Sequence, residues 1–167
     1  MSISTALAQL SLGVCLQLAA SAEVPAYARV EFVPAQEFTL AWVHSIEKVR
    51  WEEDYEVMLS AHSEDALRAD FGGAAQPHPA LPQPVLVAKA ARIRGSAAGM
   101  EPPEGAIFKD GWYHYTPMIT EHQEIRLTRS EFVPDYEWCD PHGCRSLAAI
   151  LPSDGGVTLM RACTQPE

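Results

Sequence analysis

The sequence lacks the patterns that mark several large classes of protein. Its 12 Lys and Arg residues stand against 22 Asp and Glu residues, for a formal net charge of −10, and so acidic a chain is a poor partner for the phosphate backbone of a nucleic acid. No uninterrupted apolar run reaches the roughly 18 residues that a membrane-spanning helix needs. The GxGxxG and GKS patterns of phosphate loops and the GxSxG and HExxH patterns of hydrolases are also missing. We therefore predict no nucleic-acid partner, no transmembrane span and no cofactor.

What the sequence does contain is a series of short alternating segments. Hydrophobic residues make up 47% of the chain, and 13 prolines and 10 glycines are spread along its 167 residues. Turn signals recur about every ten residues, which is the spacing of an all-β sandwich or barrel. We predict a single antiparallel β-domain over residues 27–163, sandwich-like or barrel-like, with about nine or ten short strands and little helix.

Several elements have local signals of their own. Asp110-Gly111 is a strong hairpin turn between the predicted strands Ala106–Lys109 and Trp112–Tyr115. Phe132–Trp138 alternates and is predicted to be a strand. Arg145–Leu151 does not alternate, so we expect a short helical turn there.

Two segments differ from this pattern. Within the N-terminal segment, residues 1–26, the run 6–22 resembles the apolar core of a secretory leader, but no Lys or Arg precedes Arg29. The alternative is that Val14–Leu18 forms the first strand, and both interpretations stay open. Residues 61–84 contain a Gly-Gly pair and four prolines, a composition that cannot join the interior of a sheet. We predict a flexible insertion there.

The stretch Phe38–Leu59 is the clearest hairpin in the chain. Two alternating runs flank residues 47–50, and folding the chain about these four residues sets His44 opposite Glu53. Opposed side chains on one face of a sheet have Cβ atoms about 5 Å apart, so an imidazole and a carboxylate at these positions can bond. The pair is interpreted either as a satisfied structural contact or as part of a site.

Candidate ligand-binding residues come from this hairpin and from a glycine segment after the strand Val85–Ile93. Two glycines four residues apart indicate backbone with unusual dihedral angles. Ser45 follows His44 directly, but neighbours in a strand point to opposite faces and cannot form a nucleophile–base pair. We assign no catalytic residue. The candidates are His44, Ser45, Glu52, Glu53, Gly95, Ser96, Gly99 and Met100.

The four cysteines allow two chemistries. In an oxidising compartment the economical pairing, one of three, is Cys139–Cys144 with Cys15–Cys163. In the cytoplasm Cys139, His142 and Cys144 are instead weak candidates for zinc ligands. A periplasmic or other extracytoplasmic location is favoured over the cytoplasm.

Three strings resemble a family of small bacterial proteins known only as a domain of unknown function: FTLAWVHSIEKVRWEEDYEV, ARIRGSAAGMEPPEGAIFKDGWYHY and LTRSEFVPDYEWC. The resemblance covers Phe38–Cys144, interrupted by residues 61–84. Genes of the family commonly lie beside TRAP transporters of the TAXI type. Members usually show a glycine where this chain has Ala97 or Ala98. The resemblance implies a role connected with the uptake of organic acids, and it assigns no chemistry.

These observations lead to three hypotheses. The leading one is a non-enzymatic accessory or small-ligand-binding β-domain, whose partner is a TRAP transporter component or its organic-acid substrate. The second is a hydrolase or isomerase that uses a His44–Glu53 pair. The third is a structural metal-binding protein with ligands Cys139, His142 and Cys144.

Overall fold

The computed structural model describes residues 11–21, 29–60, 82–95 and 102–165, and nearly all of their regular structure is β. Helical structure in these ranges amounts to the 3₁₀ turn Leu147–Ala149, which falls within the predicted helical turn. The all-β antiparallel prediction is confirmed, with more strands than expected and with two sandwich-like sheets that do not close into a barrel. The strands are β1 Leu12–Leu18, β2 Val30–Pro34, β3 Glu37–Val43, β4 Arg50–Leu59, β5 Pro84–Arg94, β6 Ile107–Lys109, β7 Trp112–Tyr115, β8 Glu121–His122, β9 Ile125–Thr128, β10 Glu137–Asp140, β11 Gly143–Ser146 and β12 Val157–Thr164.

The strands form two antiparallel sheets of different width. The smaller sheet has the order β2-β1-β12-β9. The larger sheet has the order β11-β10-β3-β4-β5-β7-β6, and β8 also pairs with β5. Because the two sheets differ in width, the smaller one faces only part of the larger one.

The core lies between the inner faces of the two sheets. Its members alternate with outward-facing residues along each strand, as a sheet with one buried face requires. Trp138 is fully buried, and its ring stacks on Phe38 with the ring centroids 4.0 Å apart. The core contains Phe38, Leu40, Tyr55, Val57, Leu86, Ala88 and Trp138 from the larger sheet and Val14, Leu16, Val33, Leu127 and Met160 from the smaller one.

Strand β1 lies in the interior of the smaller sheet, between β2 and β12. Its residues Val14 and Leu16 are fully buried. A Cβ atom added to Gly13 would lie 2.4 Å from the carbonyl oxygen of Val33, so β1 and β2 approach as closely as glycine allows. This position agrees with the first-strand interpretation of the segment, and residues 1–10 and 22–28 lie outside the described residues.

Both disulfides join strands that the topology makes neighbours. Cys15–Cys163 links β1 to β12, and Cys139–Cys144 links directly opposed residues of β10 and β11. The pairing predicted for an oxidising compartment is therefore the one present. The zinc hypothesis is wrong for this structure, because both of its thiol ligands, Cys139 and Cys144, are bonded to each other. His142 is exposed, and its backbone N–H donates to Asp140 Oδ1 at 2.8 Å.

The central hairpin forms between β3 and β4, but its predicted register is wrong. Leu40 is opposite Glu53 and Trp42 is opposite Trp51, whereas His44 lies in the connecting loop. The His44 N–H donates to the Val49 carbonyl oxygen at 2.9 Å, and thus closes that loop. The alternation correctly predicted which residues share a face, since the turn moved by an even number of residues. It could not predict the opposing pairs, because these depend on the turn.

Of two other local predictions, one is confirmed and one is wrong. The hairpin turn Asp110-Gly111 is confirmed, and both residues have positive φ, as a type I′ turn requires. The strand predicted over Phe132–Trp138 is wrong, because β10 begins only at Glu137 and Phe132 is 85% exposed.

The predicted insertion, residues 61–84, lies mostly outside the described residues. Its two ends are adjacent, since Leu59 pairs with Pro84 and the Ser60 N–H donates to the Gln83 carbonyl oxygen at 2.8 Å. The chain therefore leaves β4 and enters β5 at one point, at the ends of these two interior strands of the larger sheet.

Candidate ligand-binding site

The structure separates the candidate residues that the sequence grouped together. Ser45 is exposed in the β3–β4 loop, and Glu52 and Glu53 point to opposite faces of β4. Gly95 ends β5 with a φ of 93°, the unusual dihedral that its segment predicted. Ser96, Gly99 and Met100 lie outside the described residues.

Glu52 belongs to a network of ion pairs on the outer face of the larger sheet. Arg50 Nε and Arg92 Nε both donate to its carboxylate at 2.6 Å. Arg92 also donates to Asp54 at 2.7 Å, and Arg50 pairs with Glu137. Each of the three acids in this network has an arginine partner, the two arginines being shared among them, so the network ties β10, β4 and β5 together.

The inner face is different where it continues beyond the core, toward the β3–β4 loop. The rings of Trp42 and Trp51 lie 6.0 Å apart, and Trp42 and Tyr136 lie 5.9 Å apart. We call the half-buried residues Trp42, Trp51, Tyr113, Tyr115 and Tyr136, together with the half-buried Glu53, the aromatic face.

Strand pairing brings the parts of the aromatic face together. Glu53 pairs with Leu40 on one side and with Ala91 on the other, and Ala91 in turn pairs with Tyr115. Because Ala91 is small and buried, it puts little bulk between the carboxylate and the Tyr115 ring. In the next row Trp51 pairs with both Trp42 and Ile93.

Glu53 acts electrostatically on three tyrosines. The Tyr55 hydroxyl donates to Glu53 Oε2. Burial, and then the charge of Glu53, raises the pKa of both Tyr55 and Tyr115. Burial also raises the pKa of Tyr136, with further contributions from the charges of Asp135 and Glu53. These three phenols therefore lie within electrostatic reach of one carboxylate.

Glu53 has no cationic partner among the residues that the structure describes. Each of the other half-buried carboxylates in those residues has a Lys, Arg or His nitrogen within 3.8 Å. A carboxylate that is withdrawn from water without a cation is costly unless something else compensates it. The paired acids are Glu31, Glu47, Glu52, Asp54, Glu56, Glu124, Asp135, Glu137 and Asp140.

The β3–β4 loop adds further polar groups beside the aromatic face. The His44 ring stacks on Trp51 with a centroid distance of 5.1 Å, and its Nδ1 lies 3.8 Å from Glu47 Oε2. The Glu47 side chain is only 4% exposed, and neither of its oxygens accepts a hydrogen bond from the part of the chain that the structure describes. In the same ranges the buried Trp51 Nε1 has no acceptor. Unsatisfied buried groups of this kind are rare in folded proteins and often have a functional reason.

A cleft lined partly by the loop that precedes Tyr136 has a structural explanation. It measures ≈ 580 Å³, and Arg129 and Asp135 help to line it. Arg129 is 3% exposed and donates to both oxygens of Asp135, at 2.7 and 2.8 Å, and to the Leu151 carbonyl oxygen at 2.8 Å. Burial would raise the pKa of Asp135, but the hydrogen bonds and charge of Arg129, with bonds from Ser146 and Ala148, outweigh it and lower that pKa. The polar groups of this pair are thus already satisfied.

Sequence reasoning identified Glu53 and His44 but missed the rest of this region. The sequence places Glu47 in the predicted turn and Tyr115 in a predicted strand, and it gives neither residue a role in a site. Tyr115 and Tyr136 lie far from Glu53 along the chain and reach it only through sheet order. The one usable signal was that Trp42 and Trp51 share a face with Glu53.

Comparisons with known proteins identify a family. The family model described as Domain of unknown function (DUF1850) matches residues 38–69 and 80–147. These segments include every residue of the aromatic face, and the unmatched residues 70–79 fall within the predicted insertion. No curated protein matches the chain, and no solved structure matches it either. In the described residues no helix is both long enough and apolar enough to cross a membrane.

Proposed function

The chain belongs to the family described as a domain of unknown function (DUF1850), and we propose that it is a non-enzymatic domain that binds a small ligand over the aromatic face. The resemblance to proteins encoded beside TAXI-type TRAP transporters extends this proposal to an accessory role in solute uptake. Because of this proposed role in solute uptake, dicarboxylates and amino acids are the ligands to test first.

The observation that carries the proposal is the carboxylate of Glu53, which has no Lys, Arg or His partner among the described residues and accepts a hydrogen bond from the Tyr55 hydroxyl. It lies half-buried beside aromatic rings, whereas the neighbouring Glu52 and Asp54 are paired with arginines. Small-molecule sites combine aromatic walls with a few polar groups that orient the ligand. A ligand that compensates Glu53 would remove the free-energy cost of leaving the charge unpaired.

Loss of the expected pair weakens the enzyme hypothesis. A hydrolase or isomerase built on His44 and Glu53 needs the two side chains within hydrogen-bonding distance. His44 instead stacks on Trp51 and contacts Glu47, in the loop that precedes β4. The arrangement is better suited to holding a ligand than to transferring a proton between these two groups.

A ligand screen by thermal shift and tryptophan fluorescence tests the proposal, since Trp42 and Trp51 belong to the aromatic face. A ligand present at 100 times its Kd should stabilise the protein by about 2.7 kcal/mol. The screen covers dicarboxylates, amino acids and amines. We expect saturable binding by at least one class, weakened by Trp42→Leu and Glu53→Gln.

Glu56→Gln is the matched control, because Glu56 lies on the same strand but faces outward and pairs with Lys89 at 3.0 Å. Binding that Glu53→Gln and Glu56→Gln weaken equally would place the ligand elsewhere. If no class in the screen binds saturably, the proposed function is wrong.

A further inference from the structure

The charge on the aromatic face selects among ligand classes. Its carboxylate, Glu53, has no Lys, Arg or His partner among the described residues. An anionic ligand placed here would meet a like charge in a partly dehydrated setting, where Coulomb repulsion is stronger than in water. A neutral ligand can offer the carboxylate a hydrogen bond, as the Tyr55 hydroxyl already does, but it leaves the charge without a counter-charge. A cation can both donate a hydrogen bond and compensate the charge.

The rings favour the same class. A cation over the face of an indole is stabilised by the ring quadrupole, and Trp is the best of the aromatic residues at this. Within the described residues one cation lies over a ring, Arg94 at 5.7 Å from the centroid of Trp112, and Trp112 is not part of the aromatic face. No Lys or Arg of the described residues lies over Trp42 or Trp51, and the His44 ring stacks on Trp51.

The ligand set points to an organic cation rather than a metal ion. Hard metal ions take several oxygen ligands in proteins. The described residues contain no group of three or more His, Cys, Asp or Glu side chains that could hold a metal. One carboxylate surrounded by indole and phenol rings instead matches the way proteins bind ammonium groups.

From this placement we infer that the ligand carries a protonated amine or a quaternary ammonium group, held by Glu53 and by the rings of Trp42 and Trp51. The inference rests on the proposed function and narrows it to one chemical class. If the domain serves TRAP-type uptake, its ligand is then an amino acid or another amine rather than a simple dicarboxylate. The buried Trp51 Nε1–H, beside this position, has no acceptor among the described residues.

The test compares a cation with a neutral molecule of the same shape. Choline and 3,3-dimethylbutanol differ in the replacement of the charged nitrogen by carbon, and tetramethylammonium, butylammonium and succinate complete the set. Titrations follow tryptophan fluorescence and heat at constant ionic strength. We expect at least one ammonium compound to bind saturably, and choline to bind about tenfold or more tightly than its neutral counterpart, which is a difference of about 1.4 kcal/mol.

Variants make the result specific. Glu53→Gln should weaken ammonium binding by about tenfold or more, whereas Glu56→Gln should leave it unchanged. Equal binding of choline and 3,3-dimethylbutanol, or binding of succinate alone, would refute the cation while leaving a ligand-binding function in place. Failure of every compound, together with failure of the wider screen, would refute both proposals.

Discussion

The two disulfides should differ sharply in what they contribute to stability. Cys15 and Cys163 are 148 residues apart in the chain, whereas Cys139 and Cys144 are 5 apart. A crosslink restricts the unfolded chain in proportion to the logarithm of the loop that it closes. From these separations the chain-entropy relation assigns about 5 kcal/mol to the long loop and about 2 kcal/mol to the short one.

The perturbation is a pair of double variants, Cys15→Ala with Cys163→Ala and Cys139→Ala with Cys144→Ala. The first should lower the free energy of unfolding by about 3 kcal/mol more than the second. Urea unfolding followed by circular dichroism, with a check that the slope on denaturant is unchanged, measures both. Because each double variant removes one disulfide and two sulfur atoms, each serves as the control for the other.

Equal losses, or a larger loss from the short loop, would refute the chain-entropy reasoning.

Mass spectrometry of protein from its native host, alkylated without prior reduction, tests the predicted extracytoplasmic location. Both disulfides should be intact there if the protein is exported. Four free thiols would instead indicate a reducing compartment and contradict the extracytoplasmic prediction.

Three further predictions concern the charged and phenolic groups. Arg129→Ala should lower the free energy of unfolding by about 3–5 kcal/mol in a urea assay, because it leaves a partly buried acid unpaired. The control Arg126→Ala, at a side chain 61% exposed, should change that free energy by less than about 0.5 kcal/mol. Comparable losses in the two variants would contradict a structural role for Arg129. The pKa of Asp135 is lowered in the folded state, so its carboxylate should stabilise the fold above about pH 3.9, its ordinary pKa. This stabilisation should be lost as pH falls through the lowered pKa. The midpoint of urea unfolding, measured against pH, should show the loss in the wild type and less of it in Arg129→Ala. Tyr115 and Tyr136 have raised pKa values, so their neutral phenols should stabilise the fold below about pH 10, and this stabilisation should be lost as pH rises further. An absorbance titration of tyrosine should show ionisation at higher pH in folded protein than in urea-unfolded protein.

Part of the site could be predicted from the sequence, and part could not. Alternation along β4 put Glu53 on the same face as Trp51 and Tyr55, and this is the face on which the structure has them. The assigned partner was wrong, since Glu53 lies opposite Leu40 and His44 belongs to the loop. Side-chain period is a property of a single strand, whereas the opposing residue depends on where the turn closes.

The structural role of Arg129 was likewise invisible in the sequence. Nothing in the local sequence indicates that this arginine, directly after β9, will be buried against an acid six residues later. That burial arises because the loop around Phe132–Asp135 folds back over the end of β9, where Asp135 meets Arg129, the Ser146 hydroxyl and the Ala148 N–H. The same loop was mistaken for a strand, since its local alternation carried no sign of this contact.

Local chemistry determined the fold class and the Asp110-Gly111 hairpin. Asp110-Gly111 specifies its turn because both residues tolerate positive φ. Tertiary structure alone decided the aromatic face, because Tyr115 and Tyr136 reach Glu53 through strand order in the larger sheet rather than through proximity in the chain. Tertiary structure also left Glu53 without a cationic partner among the described residues, since its neighbours on β4 point outward to Arg50 and Arg92 and it points inward to the rings. A strand pattern can say which way a carboxylate points, but only the packed sheets decide what it meets there.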